Sequence, residues 1–278
     1  MELTAEEKLE RVKDFRPIDD VFFEVLASKK EVCQEMLQTI LEDPGLTVED
    51  VIVQSSVRNL YGRSVRLDAL CTLGDGSRVN IEVQRSDNDD HLKRARFNAA
   101  SITVKESQAG DDYSKIPEVI VVYISEFDFL KEGKTIYHID KVIRETGSVI
   151  DDGLHEVFVN TVVDDGSDIA DLMSCFTKRM VDNPKFPIFS NEMKYLKESE
   201  GGAGSVCQVM QKYEEAARQQ GMQQGIQQGM QQGMQQGMQQ EKYNNARAML
   251  REGLSLDMVS RCIGLPVAEL KELNVTRQ

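Results

Sequence analysis

Apolar side chains recur at two different periods along this chain. In SVRLDALCTL the odd positions Val65, Leu67, Ala69, Cys71 and Leu73 are all apolar, and in SRVNIEVQ so are Val79, Ile81 and Val83. Strict alternation of this kind is the mark of a strand with one buried face, and the GDG between the two runs predicts a hairpin. Residues 20–41, DVFFEVLASKKEVCQEMLQTIL, instead place Val21, Val25, Cys33, Met36, Leu37 and Ile40 near helical spacing, with Asp19 or Asp20 as cap. One amphipathic helix is expected there. Residues 51–59 read as a strand, residues 89–108 as a helix, and VIVVYI at 119–124 as a buried strand. Weaker patterns predict strands near 135–143 and 155–163 and helices over 168–180 and 188–198. The expected fold is therefore α/β: helix, three-stranded antiparallel meander, helix, strand.

The alternation also fixes the hairpin register. Both odd sets must face one core, so odd residues must pair with odd ones. A two-residue Asp75-Gly76 turn fails this condition, whereas a three-residue Gly74-Asp75-Gly76 loop with Gly76 left-handed satisfies it. That register sets Asp68 opposite Glu82, with Cβ atoms about 4.5–5.5 Å apart and with Asn80 and Gln84 on the same polar face. Two readings are open. The pair is solvated on the outer face of an edge hairpin and neutralised by Arg66 and Arg78. Or the following helix covers it, and a cation must separate two carboxylates that otherwise repel. Ligands that are all oxygen suit Mg²⁺ or Mn²⁺, and such an ion serves phosphodiester hydrolysis.

Charge narrows the choice of partner. With 47 acidic and 33 basic residues, a net charge of -14, the chain is unsuited to loose polyanion binding, so contact with nucleic acid falls to a local patch or a metal ion. Five scattered cysteines and three histidines make no zinc spacing and point to a reducing, cytoplasmic setting. The charged N-terminal segment is no signal peptide, and without a run of about 18 apolar residues no membrane span is expected.

These motifs carry a resemblance. Asp68 followed by Glu82-Val83-Gln84 across a hairpin, with a helix before and a helix and strand after, resembles the PD-(D/E)XK superfamily with its restriction-endonuclease-like core. PIDDVFFEVL at 17–26, RLDAL at 66–70, NIEVQ at 80–84 and KRARFNAAS at 93–101 are similar to the PD-(D/E)XK nuclease family transposases, relatives of the Rpn recombination-promoting nucleases, over roughly residues 15–165. The resemblance implies a metal-dependent DNA endonuclease associated with recombination or mobile elements. It makes Asp68 and Glu82 the metal ligands, with the Val83 carbonyl a third and Asp20 completing the shell. Gln84 stands where the superfamily usually has lysine; glutamine is neither a cation nor a general base, so its role is limited to orienting the attacking water. The alternative is a catalytically weak or inactive nuclease fold that binds DNA or protein as an oligomer.

Arg94 and Arg96 lie about 200° apart around a helix axis, so only one can face the site. Arg94 matches the family position and is expected to contact phosphate; the competing reading pairs either arginine with Asp87, Asp89 or Asp90. His91 reads as a polar residue at the helix start, with no role assigned.

ESEGGAGS at 198–205 reads as a flexible link, which divides the chain into a nuclease-like domain (1–200), a Gly/Met/Gln repeat (201–245) and a small helical end (246–278). In the repeat, Met222, Ile226, Met230, Met234 and Met238 form one helical stripe and glycines a parallel one. Each glycine costs about 1 kcal/mol relative to alanine, so the helix is expected against a partner. Homo-oligomerisation through the 205–250 helix and a flexible spacer are the two readings. The residues after it resemble a helix-turn-helix, for which the acidic Glu269 and Glu272 favour packing or protein contact over DNA reading.

Overall fold

The computed structural model describes residues 4–57, 64–87 and 90–275. It divides into two units, residues 1–213 and 214–278.

The first unit opens with α1 (Ala5–Val12), capped by a reciprocal Thr4–Glu7 box, then α2 (Asp20–Leu26) and α3 (Lys30–Ile40). The single helix expected over 20–41 is thus two. In one continuous helix Lys29 and Lys30 would follow Phe22 and Phe23 by two turns and enter the buried stripe. Breaking at Ala27–Lys29 lets α2 bury Phe22, Phe23 and Leu26, and α3 bury Val32, Cys33, Met36, Leu37 and Ile40, with neither lysine in the core.

Next come β1 (Val48–Val57), β2 (Val65–Leu73) and β3 (Arg78–Gln84), then α4 (His91–Glu106) and β4 (Val119–Ser125). The strands β5 (Ile136–Ile139), β6 (Lys141–Val142), β7 (Val149–Ile150) and β8 (Leu154–Asn160) follow, then α5 (Asp168–Phe176) and α6 (Pro187–Glu198). The main sheet runs β1-β2-β3-β4-β8-β5, with an antiparallel meander β1-β2-β3 and parallel pairs β3-β4 and β4-β8; β6 and β7 make a separate small hairpin. One face of the sheet packs on α1–α3, α5 and α6, and the other on α4 through Ala95, Ala99 and Ile102. β2 and β3 are therefore interior strands covered on both faces, not the edge hairpin of the solvated reading.

The β2–β3 turn follows the expected register. Ala69 pairs with Ile81 and Cys71 with Val79, and Gly76 closes the three-residue loop at φ 93°. The alternation does not survive to the start of β2, however. Ala69, Cys71 and Leu73 face the α2–α3 side, whereas Val65 and Leu67 join Leu70 on the α4 side. The slip is centred on Asp68, opposite Gln54 of β1, whose φ of 52° lies in the left-handed region that β strands avoid.

The segment expected to be a flexible link is helical. A single helix, α7 (Glu200–Arg251), follows α6 directly, and its first turns bury Ala203, Val206, Cys207 and Val209 in the main core. Gly202 makes that junction possible: a Cβ there would lie 2.3 Å from the Tyr195 carbonyl oxygen. The first unit thus ends at Tyr213 rather than near residue 200. Within the second unit, the C-terminal part of α7 packs with α8 (Leu256–Ile263) and α9 (Val267–Val275) around Ala246, Val259, Leu265 and Leu270. Ser255 caps α8 and left-handed Gly264 ends it. Along the repeat, Met222, Ile226, Met230, Met234 and Met238 are exposed.

Candidate active site

The meander splays where β2 stops pairing with β3. Beyond Ala69 and Ile81 side chains take over the backbone bonds: Oδ2 of Asp68 accepts from the Val83 amide at 3.1 Å, and Oε1 of Glu82 accepts from the Asp68 amide at 3.3 Å. Asp68 therefore turns into the gap between the strands instead of standing on the polar face beside Glu82. The N–H and C=O of one strand residue point the same way, so the Val83 carbonyl also opens toward this gap.

Glu82 lies on the α4 side, 3% exposed, where Nδ2 of Asn80 donates to the same Oε1 at 3.0 Å. Asn80 itself is fully buried, and its Oδ1 has no partner. Turning that amide over would let its oxygen accept a hydrogen bond from a neutral Glu82.

Asp20, Asp68, Gln84 and Arg94 line one cavity of about 610 Å³. Asp20 comes from the first turn of α2, Gln84 from the last residue of β3 and Arg94 from the first turn of α4. Arg96, two residues on, is exposed and acts electrostatically on Glu156 instead. Nε2 of Gln84 donates to the Ser86 carbonyl at 2.8 Å. Glu82 does not line the cavity. Among the described residues, no three acidic, histidine or cysteine side chains converge closely enough to hold a metal unaided.

The electrostatics are those of an acid cluster short of positive charge. Loss of water raises the pKa of Asp68, and the charge of Asp20 raises it further, against Arg94. Loss of water also raises Glu82, with the Asp68 charge next in effect, and it raises Asp20, with Arg85 opposing. Burial and like charge thus favour the neutral acids, and a cation in the cavity would reverse that balance.

Two parts of the site went unread in the sequence. Asp19 does not cap α2 through its side chain: it accepts from the Arg16 amide at 2.7 Å and pairs with Arg85 at 2.6 Å. Glu126 closes the network with Arg16 at 2.5 Å and Arg85 at 3.1 Å, tying the end of β3 to the start of α2. The only signal was an arginine directly after NIEVQ. His91 begins α4 as expected but is 3% exposed, its ring bonded to the Tyr123 hydroxyl at 2.9 Å and to Asp87 at 3.0 Å among Phe127 and Phe129. Arg78 bonds Glu106, not the carboxylate pair. Asp89, one of the three acids expected as ion-pair partners of these arginines, lies outside the described residues.

No helix among the described residues is long and apolar enough to cross a membrane. No curated protein and no solved structure gives a significant match to the chain. One family does match: PD-(D/E)XK nuclease family transposase, over residues 17–162, more than half of the sequence and all of it from α2 to β8, including Asp20, Asp68, Glu82, Gln84 and Arg94. PD-(D/E)XK nucleases generally use divalent metal ions. On that match the chain belongs to the PD-(D/E)XK nuclease family transposases.

Proposed function

We propose that this protein is a metal-dependent DNA endonuclease acting in recombination or in mobile elements, in the cytoplasm, with Mg²⁺ or Mn²⁺ as its ion. The observation that carries the reading is the shared cavity of Asp20, Asp68 and Arg94, at the point where the meander splays. Asp68 and Asp20 would hold the ion, with the Val83 carbonyl a third oxygen. Glu82 would join them in place of its bond from Asn80. When bound, such an ion lowers the pKa of water and offsets charge on a phosphate. Arg94 binds the phosphate and meets the charge that grows on it during cleavage. Gln84, with its amide nitrogen on Ser86, offers the carbonyl oxygen to orient water. His91 and Tyr123 keep the start of α4 against β4, and so keep Arg94 at the cavity.

The reading is tested by nicking of supercoiled plasmid with MgCl₂ or MnCl₂. Wild type should convert plasmid to open circles, and Asp68→Ala and Glu82→Ala should lose that activity. The same background in all three would refute the enzyme. One observation favours the second reading, a nuclease fold that binds DNA or protein without cutting: Oε1 of Glu82 is already engaged by two donors. DNA binding without nicking is the result it predicts.

Self-association is proposed through the exposed stripe from Met222 to Met238, since Ala203, Val206, Cys207 and Val209 are occupied by the chain's own core. A chain ending at Tyr213 should elute with fewer subunits than the full chain.

A further inference from the structure

Tyr213 lies on α7, outside the residues that match the family, yet it lines the same cavity as Asp20, Asp68 and Arg94. Its ring is half-buried, packed in part against the main core, and the guanidinium of Arg66, two residues before Asp68, lies over the ring, 5.2 Å from its centroid. Arg66 is otherwise exposed. The cleavage chemistry is assigned to other walls of the cavity, so it leaves this aromatic–guanidinium pair unused. A flat ring flanked by a guanidinium, next to a phosphate site, is the chemistry that receives a nucleobase: stacking tolerates any base, and arginine adds cation–π attraction and a phosphate contact.

We propose that Tyr213 is a nucleic-acid contact residue that stacks on a base of the strand whose phosphate lies at Asp68, with Arg66 supporting it. The proposal rests on the nuclease reading and adds to it. The packed first turns of α7 become a wall of the substrate site, and the strand being cut is engaged through an unpaired base, since only an exposed π-face can stack.

The test uses the full-length chain without divalent metal and a single-stranded oligonucleotide carrying 2-aminopurine, whose fluorescence falls on stacking. Tyr213→Phe keeps the ring, and Tyr213→Leu keeps only apolar packing. Arg66→Gln, at an exposed position, is a variant that leaves the core untouched. Wild type and Tyr213→Phe should quench and bind alike. Tyr213→Leu should lose the quenching and bind roughly tenfold more weakly, the usual scale for one stacked base, and Arg66→Gln should bind a few-fold more weakly. Quenching and affinity equal to wild type in Tyr213→Leu overturn the proposal, as do unchanged values in Arg66→Gln if the leucine variant does not fold. Failure of wild type to bind the oligonucleotide also overturns it. Plasmid nicking, measured separately, decides the nuclease reading in every case.

Discussion

Glu82 is a carboxylate almost without water, and Asp68 is its nearest charge. Both acids are held above their ordinary range, Glu82 up to about 8. The folded chain therefore keeps protons that the unfolded chain releases near pH 4. Stability of the metal-free protein is thus fully present below pH 4 as far as these groups decide it, and is lost as pH rises toward about 8. Thermal melts between pH 5 and 8.5 should show this fall, Glu82→Gln should flatten it, and MgCl₂ should raise the melting temperature more at pH 8 than at pH 5.5. A metal effect independent of pH would contradict the assignment. Arg94 is the cation that acts on all three acids, opposing the rise of Asp20, Asp68 and Glu82. Arg94→Met should reduce cleavage by about 10²-fold or more, with Arg94→Lys intermediate, in the plasmid assay. The β2–β3 turn was legible because alternation fixes its register, Ala69 with Ile81 and Cys71 with Val79. The turn of Asp68 into the strand gap was not, because it depends on Gln54, on another strand, taking a left-handed conformation.

At the scale of elements, the meander, α4 and β4 could be read from period and turn chemistry, since each is a local pattern. The break between α2 and α3 could not, because two lysines in a helical stripe are unfavourable only once tertiary packing buries that stripe. The same limit hid the α6–α7 junction. GGAG is a linker by composition, and only the approach of Tyr195 to Gly202 makes it a packed joint. Gly202→Ala should therefore cost about 1–3 kcal/mol, the usual scale for overpacking, whereas Gly204→Ala, where a Cβ meets nothing within 4 Å, should be neutral or stabilising by up to about 1 kcal/mol. Urea unfolding of the two variants checks the contrast. The salt-bridge network of Arg16, Asp19, Arg85 and Glu126 joins residues far apart in sequence, so no local pattern disclosed it.

Across the whole molecule, the GMQQ repeat offers no acid, base or nucleophile, and α7 divides at Tyr213: its first turns complete the main core, and the stripe from Met222 to Met238 is exposed. A chain ending at Ser199 should be destabilised by on the order of 4 kcal/mol, since Val206, Cys207 and Val209 leave the core, while one ending at Tyr213 should unfold like the full protein. On the proposed reading the splayed meander holds a divalent ion at Asp68. Anomalous diffraction at the manganese edge, from crystals soaked in MnCl₂, would reveal that ion. A peak about 2.1 Å from an Asp68 oxygen, shared with Asp20 or Glu82 and absent in Asp68→Asn, is the predicted result; an empty cavity in crystals that bind manganese elsewhere would contradict it.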